Sequence, residues 1–262
     1  MSLEKRSTDS FDEVKAILFD FGGTLYHVSF NEVELAQRIL KQLGKGIFSR
    51  EKVEQALIAA EDGLAKALAA KYPDRTGYVS TSEDWILFNQ FILRTLGISD
   101  LDRSISRAMQ EQWELFWERM QGTEAVFKIR PEWREIFNSL AQRGYKLGVI
   151  SNTSVDLKPW LKKDQVIPYL SVVLQSYEFG RAKPNKSIFH QACAELALEP
   201  HQCIYVGNHY RIDIVGAHRA GLVPIFITDG RNRDEIPAKR PFDFRVIDSL
   251  TEILALLPSL PS

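Results

Sequence analysis

Four polar clusters in this chain have the residue types needed for displacement chemistry at an anionic centre. The first is Asp20, which closes the apolar run Ala16 to Phe19 and is followed by Phe21-Gly22-Gly23-Thr24. An apolar run that stops at one carboxylate and a glycine-rich turn reads as a buried parallel strand with a polar end. A carboxylate held there can attack as a nucleophile, dividing one hard displacement into two easier ones through an ester or acyl phosphate. It can equally do no more than cap a turn. The second cluster is Ser151-Asn152-Thr153, at the end of KLGVIS (146–151), and the third is Lys183, inside GRAKPNKSIF. Pro184 restricts the backbone behind that lysine and aims it in one direction. The fourth is Asn208 with Asp213, just beyond QCIYVG (202–207). In such a set the lysine offsets the charge gathered by acid and substrate, while Ser151 and nearby backbone N–H groups bind the substrate oxygens. The opposing reading is a structural carboxylate–lysine pair that anchors the edge of a sheet.

For these residues to meet, their strands must end on one edge of a parallel sheet. Further candidate strands are SVVLQS (171–176), VPIFIT (223–228) and DFRVID (243–248), with helices fitting between them at 186–196 and 213–220. Pro131 marks a helix start and Gly144 its end, so the segment feeding KLGVIS is helical. This alternation predicts a doubly covered, mostly parallel sheet. Between 29 and 124 the period is helical throughout. Leu35, Ile39 and Leu43 form one stripe; Val53, Leu57, Ala60, Leu64 and Leu68 form a second that Tyr72-Pro73 breaks. Trp85, Phe88, Ile92 and Leu96 form a third, and Ile105, Met109, Trp113, Phe116 and Met120 a fourth. Stripes at this spacing are the core of a small bundle rather than a cofactor pocket. The expected division is a core of 12–28 and 125–262 around a helical insertion of 29–124, with a polar leader up to Phe11 and a surface loop from Asp229 to Pro241.

Composition narrows the partners. In 262 residues, 33 basic and 34 acidic side chains leave a formal net charge of -1, so no overall field draws nucleic acid or an anionic membrane. No run is long and apolar enough to span a bilayer, and no secretory leader is visible. The expectation is a cytoplasmic protein with a small anionic substrate, monomeric or homodimeric. Cys193 and Cys203 read as small buried thiols.

Taken together, the motifs resemble the haloacid dehalogenase-like hydrolases. That family's D-x-D-G-T motif is similar to Asp20-Phe21-Gly22-Gly23-Thr24, its second motif to Ser151, its lysine motif to Lys183-Pro184, and its G-D-x-x-x-x-D-x-x-G-A motif to Gly207-Asn208, Asp213 and Gly216-Ala217. The resemblance implies an α/β fold, a Rossmann-like parallel sheet covered by helices, with a small α-helical cap. It implies Asp20 as nucleophile, with Lys183 and Ser151 as the other catalytic groups. Asn152, Gly23 and Thr24 fall on the substrate side, and Mg2+ is expected on Asp20, Gly22, Asn208 and Asp213.

Two departures stand inside the motifs. Where a magnesium-dependent phosphatase of the family has a second aspartate, acting as general acid and then base, this chain has Gly22. Where it has the first aspartate of the fourth motif, this chain has Asn208. Losing a general acid slows such catalysis by about 10²- to 10⁴-fold. His27 lies near enough in sequence to be considered as a base, though a surface histidine is the plainer reading. A metal-independent 2-haloacid dehalogenase is the alternative, because halide leaves without a proton and Asp213 could activate water. Against it, Tyr210 stands where the dehalogenases have asparagine, and no single arginine among Arg38, Arg50, Arg75, Arg94, Arg103, Arg107 and Arg119 is singled out as the carboxylate holder. An impaired, non-catalytic binding protein of the same fold is the third possibility.

Overall fold

Ala16–Phe19 (β1) carries only apolar side chains because neither of its faces meets water; all four residues are fully buried. The computed structural model describes residues 11–71, 81–228 and 232–260. From β1 the chain passes through β2 (Tyr26–Val28), helices α1 (Glu32–Gln42), α2 (Arg50–Lys71), α3 (Ser82–Thr95) and α4 (Ser104–Met120), and β3 (Phe127–Ile129). The alternation then runs α5 (Trp133–Gln142), β4 (Lys146–Ser151), α6 (Lys158–Lys163), β5 (Leu170–Gln175), α7 (Ser176–Phe179), α8 (Lys186–Glu195) and β6 (Cys203–Gly207). It closes with α9 (Val215–Ala220), β7 (Val223–Ile227), β8 (Arg245–Ile247) and α10 (Ile253–Leu256).

Six strands form one parallel sheet in the order β5-β4-β1-β6-β7-β8. Phe19 pairs with Val149 of β4 on one side and Val206 of β6 on the other, so β1, β4 and β6 end level. The chain builds outward from β1 to β5, then returns to β6 on the opposite side of β1. Open α/β sheets carry their sites in the crevice at such a reversal. One face is packed by Leu18, Ile150, Ile188, Phe189 and Tyr205. Each large apolar side chain buried in this way contributes roughly 1.5–3 kcal/mol.

The described residues divide into two compact units that part after Val28 and after Val126. In the helical unit, the expected stripes meet in one cluster that includes Ile39, Val53, Leu57, Ala60, Ile92, Met109 and Trp113. Asn31 caps α1 through the Glu34 N–H, and Thr81 with Asp84 forms a reciprocal capping box on α3. The proposed break at Tyr72-Pro73 lies outside the described residues.

Some details differ from the sequence reading. Phe11, assigned to the leader, is buried in the core unit. Tyr26–Val28 and Phe127–Ile129 pair antiparallel as a second, two-stranded sheet, too short to show alternation. The helix expected from Asp213 begins with a wide π turn over Tyr210–Ile214 before α9 takes over. Pro131 precedes its helix rather than opening it, since α5 starts at Trp133 after Glu132. Of the loop 229–241, Asn232–Glu235 forms a 3-10 turn, and 229–231 lie outside the described residues. No helix among the described residues is long and apolar enough to cross a membrane.

Candidate active site

The sheet fixes the first carboxylate directly. Asp20 extends the ladder past β1, its N–H donating to the Val206 carbonyl at 2.9 Å. Lys183 Nζ then donates to Asp20 Oδ1 at 2.6 Å, Asp213 Oδ1 at 2.7 Å and Tyr205 Oη at 2.7 Å. Three acceptors exhaust the three N–H groups of an ammonium. All four residues are buried, with Lys183 only 3% exposed and Tyr205 fully enclosed. The Tyr205 hydroxyl passes its own proton to the Ile150 carbonyl at 3.1 Å. Asp213 Oδ2 accepts the His209 N–H at 3.0 Å, so both oxygens of that carboxylate are held by protein donors.

Asn152, expected beside the substrate, spends its amide on the backbone of Lys183: Oδ1 accepts the Lys183 N–H at 2.7 Å and Nδ2 donates to the Lys183 carbonyl at 2.9 Å. It therefore fixes where the lysine starts from. Ser151 is buried at the end of β4, and its hydroxyl lies 3.5 Å from the Asn152 carbonyl, too far for that contact to hold it. The turn after Asp20 is tied down by Arg130, whose Nε donates to Thr24 O at 2.5 Å and Nη2 to Gly23 O at 3.1 Å. Gly23 has φ +82, and a Cβ there would sit 2.4 Å from the Asn208 amide. At Gly207 a Cβ would sit 2.3 Å from Asp213 Cβ, so only glycine lets that carboxylate pack against the strand end.

Asn208 brings one end of its carboxamide within 3.0 Å of the Gly22 carbonyl oxygen, 3.0 Å of Thr24 Oγ1 and 3.2 Å of Asp20 Oδ2. Among the described residues, no group of three or more His, Cys, Asp or Glu side chains is arranged to hold a metal ion. Were the amide oxygen turned inward, it would lie 3.0 Å from the Gly22 carbonyl oxygen and 3.2 Å from Asp20 Oδ2. Neighbouring oxygens around magnesium, each at about 2.1 Å from the ion, lie about 3 Å apart. In that orientation the donors would be of the hard oxygen type a divalent cation takes, with one negative charge fewer than a second carboxylate would give.

Burial pushes the Asp20 carboxyl up to about 6, against the pull of Lys183 and with the help of Asp213. Burial alone would lower the Lys183 ammonium, but Asp20 and Asp213 outweigh it and raise its pKa. The Tyr205 phenol is driven well up by burial, then by Asp213 and Asp20. Sequence reasoning did not find Tyr205 or Arg130. A hydroxyl inside the apolar CIYVG was a usable signal for the first; nothing marked the second.

A parallel sheet that gathers a carboxylate, a lysine and a second carboxylate at its topological reversal is the layout of an α/β enzyme with its site at the strand ends. The family model for haloacid dehalogenase-like hydrolases matches residues 14–221, and the chain belongs to that family. It is 25% identical over 256 residues to a glyceraldehyde 3-phosphate phosphatase of Methanopyrus kandleri, covering 94% of this chain and 98% of that one. Among solved structures, a predicted phosphoglycolate phosphatase from Haemophilus somnus superimposes with TM-score 0.68 at 19% identity, covering 93% of this chain and 98% of that one. A 2-haloacid dehalogenase from Pseudomonas syringae gives TM-score 0.62 at 20% identity, with 93% and 97% covered. The likeness in structure shows the fold, which phosphatases and dehalogenases share.

The charge balance yields a stability prediction. Asp20 has a folded value of about 6 against 3.8. Its contribution is therefore complete below pH 3.8 and lost as pH rises through about 6, on the order of 2–3 kcal/mol. Asp20→Asn leaves Lys183 paired with Asp213 and escapes that loss. In EDTA its denaturant stability should overtake wild type between pH 4 and 6 and stay ahead at neutral pH. Lys183→Met strands two buried carboxylates and should cost about 3–5 kcal/mol at neutral pH. An Asp20→Asn protein less stable than wild type at pH 7.5 would show that the ion pair outweighs its desolvation.

Proposed function

We propose that the protein is a magnesium-dependent phosphatase of a small phosphorylated metabolite, working through an aspartyl phosphate on Asp20. The observation that supports this best is that one end of the Asn208 carboxamide lies 3.0 Å from the Gly22 carbonyl oxygen and 3.2 Å from Asp20 Oδ2, beside the carboxylate that Lys183 pairs. The relative from Methanopyrus kandleri, itself named a phosphatase, agrees with it. Asp20, the Gly22 carbonyl and Asn208 would hold the magnesium, which would supply positive charge against the phosphoryl oxygens.

The chain's own residues supply the rest. An Asp20 oxygen forms a bond to phosphorus as the ester P–O bond breaks, and the departing oxygen takes its proton from water, since Gly22 has no side chain to give one. Lys183 keeps the carboxylate oriented and neutralises part of the charge that arrives with the phosphate. Ser151, whose hydroxyl is not held by its neighbour, hydrogen-bonds a phosphoryl oxygen, whereas the Gly23 N–H is spent on the Tyr26 carbonyl at 2.7 Å and shapes the turn instead. Water then attacks phosphorus, the bond to Asp20 breaks, and inorganic phosphate and a proton leave. Asp213 stands behind Lys183 as its counter-charge.

A metal-independent dehalogenase is the second reading, favoured by Gly22 and the neutral Asn208. The burial of Asp213 weighs against it, because both oxygens of the would-be base already accept protein hydrogen bonds. Hydrolysis of para-nitrophenyl phosphate, with magnesium and with chelator, beside chloride release from 2-chloropropionate, separates the two. The expected result is metal-dependent phosphate release that Asp20→Asn abolishes and Lys183→Ala reduces. Metal-independent chloride release selects the dehalogenase, and silence in both assays selects a non-catalytic role.

Gly22 provides an independent gain-of-function test. Its backbone is not left-handed, and a Cβ there meets only Val28 Cγ2 at 3.6 Å and Phe127 Cε1 at 4.0 Å, so a Cβ is accommodated without strain. Gly22→Asp should raise turnover of alkyl phosphates by about 10²-fold or more while changing para-nitrophenyl phosphate far less. An equal effect on both substrates would mean that leaving-group protonation is not what the site lacks.

A further inference from the structure

The carboxamide of Asn208 occupies a place where its two ends are not equivalent. Gly22 O and Asp20 Oδ2 can only accept, and Thr24 Oγ1 can do either. With the amide oxygen inward, Thr24 donates to it at 3.0 Å, while the Gly22 carbonyl and the Asp20 carboxylate face a third oxygen with no proton between them. With the nitrogen inward, two N–H groups serve Gly22 O at 3.0 Å, Asp20 Oδ2 at 3.2 Å and Thr24 Oγ1 at 3.0 Å. The two orientations have the same shape, so a half-turn about the last side-chain bond exchanges them without moving the backbone. That backbone is held from behind, since Asn208 O accepts from Asn232 Nδ2, and Gly23 leaves the amide room.

We propose that Asn208 is a reversible stopper for the cation position. In the metal-free protein its nitrogen points inward and closes the gap between Asp20 and Gly22. When the cation enters, the amide turns over and presents its oxygen. The second half rests on the magnesium reading above; the first does not. An aspartate in the same place has no proton to offer Asp20 at neutral pH, so it would need the metal to keep two carboxylates together. The asparagine removes that need, at the cost of a cation that must displace hydrogen bonds and meets less charge.

The test uses the full chain and reads binding and structure rather than turnover. Asn208→Asp should melt about 2–4 °C or more below wild type in EDTA, and millimolar MgCl2 should restore it while moving wild type much less. Calorimetry should show Mg2+ binding to Asn208→Asp on the order of tenfold tighter than to wild type. The Asn208 side-chain NH2 resonances of wild type, assigned by their loss in the variant, should shift on adding Mg2+. They decide the matter even where Asn208→Asp fails to fold without metal. Equal melting temperatures in EDTA would overturn the stopper, as would Mg2+ binding that leaves the wild-type amide resonances unmoved. A wild-type protein that takes up no Mg2+ would remove both the magnesium reading and the turnover of the amide.

Discussion

One ammonium holds this site together. Lys183 lies between Asp20 and Asp213 with every proton engaged, and the residues it joins come from three separate stretches of chain. Taking these charges out of water is expensive, and the attraction between them repays it only when geometry is good and the remaining donors and acceptors are satisfied. Much of the surrounding structure can be understood as meeting that condition. Asn152 fixes the lysine backbone, Tyr205 takes the third proton, the His209 N–H satisfies the far side of Asp213, and Gly207 makes room for it. The sheet order brings the strand ends level so that these short contacts can form at all.

The two neutral positions follow from the same balance. Two buried carboxylates against one lysine already leave an excess negative charge, which is why burial and Asp213 together lift Asp20 despite the adjacent ammonium. Carboxylates at 22 and 208 would add to that excess and make the empty site more dependent on a cation. Glycine and asparagine relieve it. Under the magnesium reading the cation site loses charge, while a nitrogen-inward Asn208 would satisfy the metal-free site with the protein's own hydrogen bonds.

Much of this was legible in the sequence because the strongest signals are local. Apolar runs that stop at Asp20, Ser151 and Asn208 locate three strand ends, and a parallel sheet places strand ends on one edge. The helical stripes were legible for the same reason, since each repeats over several turns. What was hidden depends on contacts between distant residues. Nothing near Arg130 shows that its guanidinium holds the Gly23-Thr24 turn, more than 100 positions earlier. Asn152 was assigned a substrate role from its place beside Ser151, but its amide engages Lys183, which only the fold brings close. The β2–β3 pair was missed because three residues cannot show a period.

The missing acid at position 22 bears on which substrates such a site can serve. An aspartate there would level differences among leaving groups by protonating each as it departs. Without it, under the phosphatase reading, the barrier follows the basicity of the departing oxygen. The site should then favour esters whose leaving oxygen is acidic or has its own proton source in a neighbouring group. Selectivity of that kind comes from a side chain that is absent, and it acts on the chemical step rather than on binding. A chain with Gly22 need not recognise its substrate tightly to discriminate among phosphates, because the leaving group already does part of the sorting.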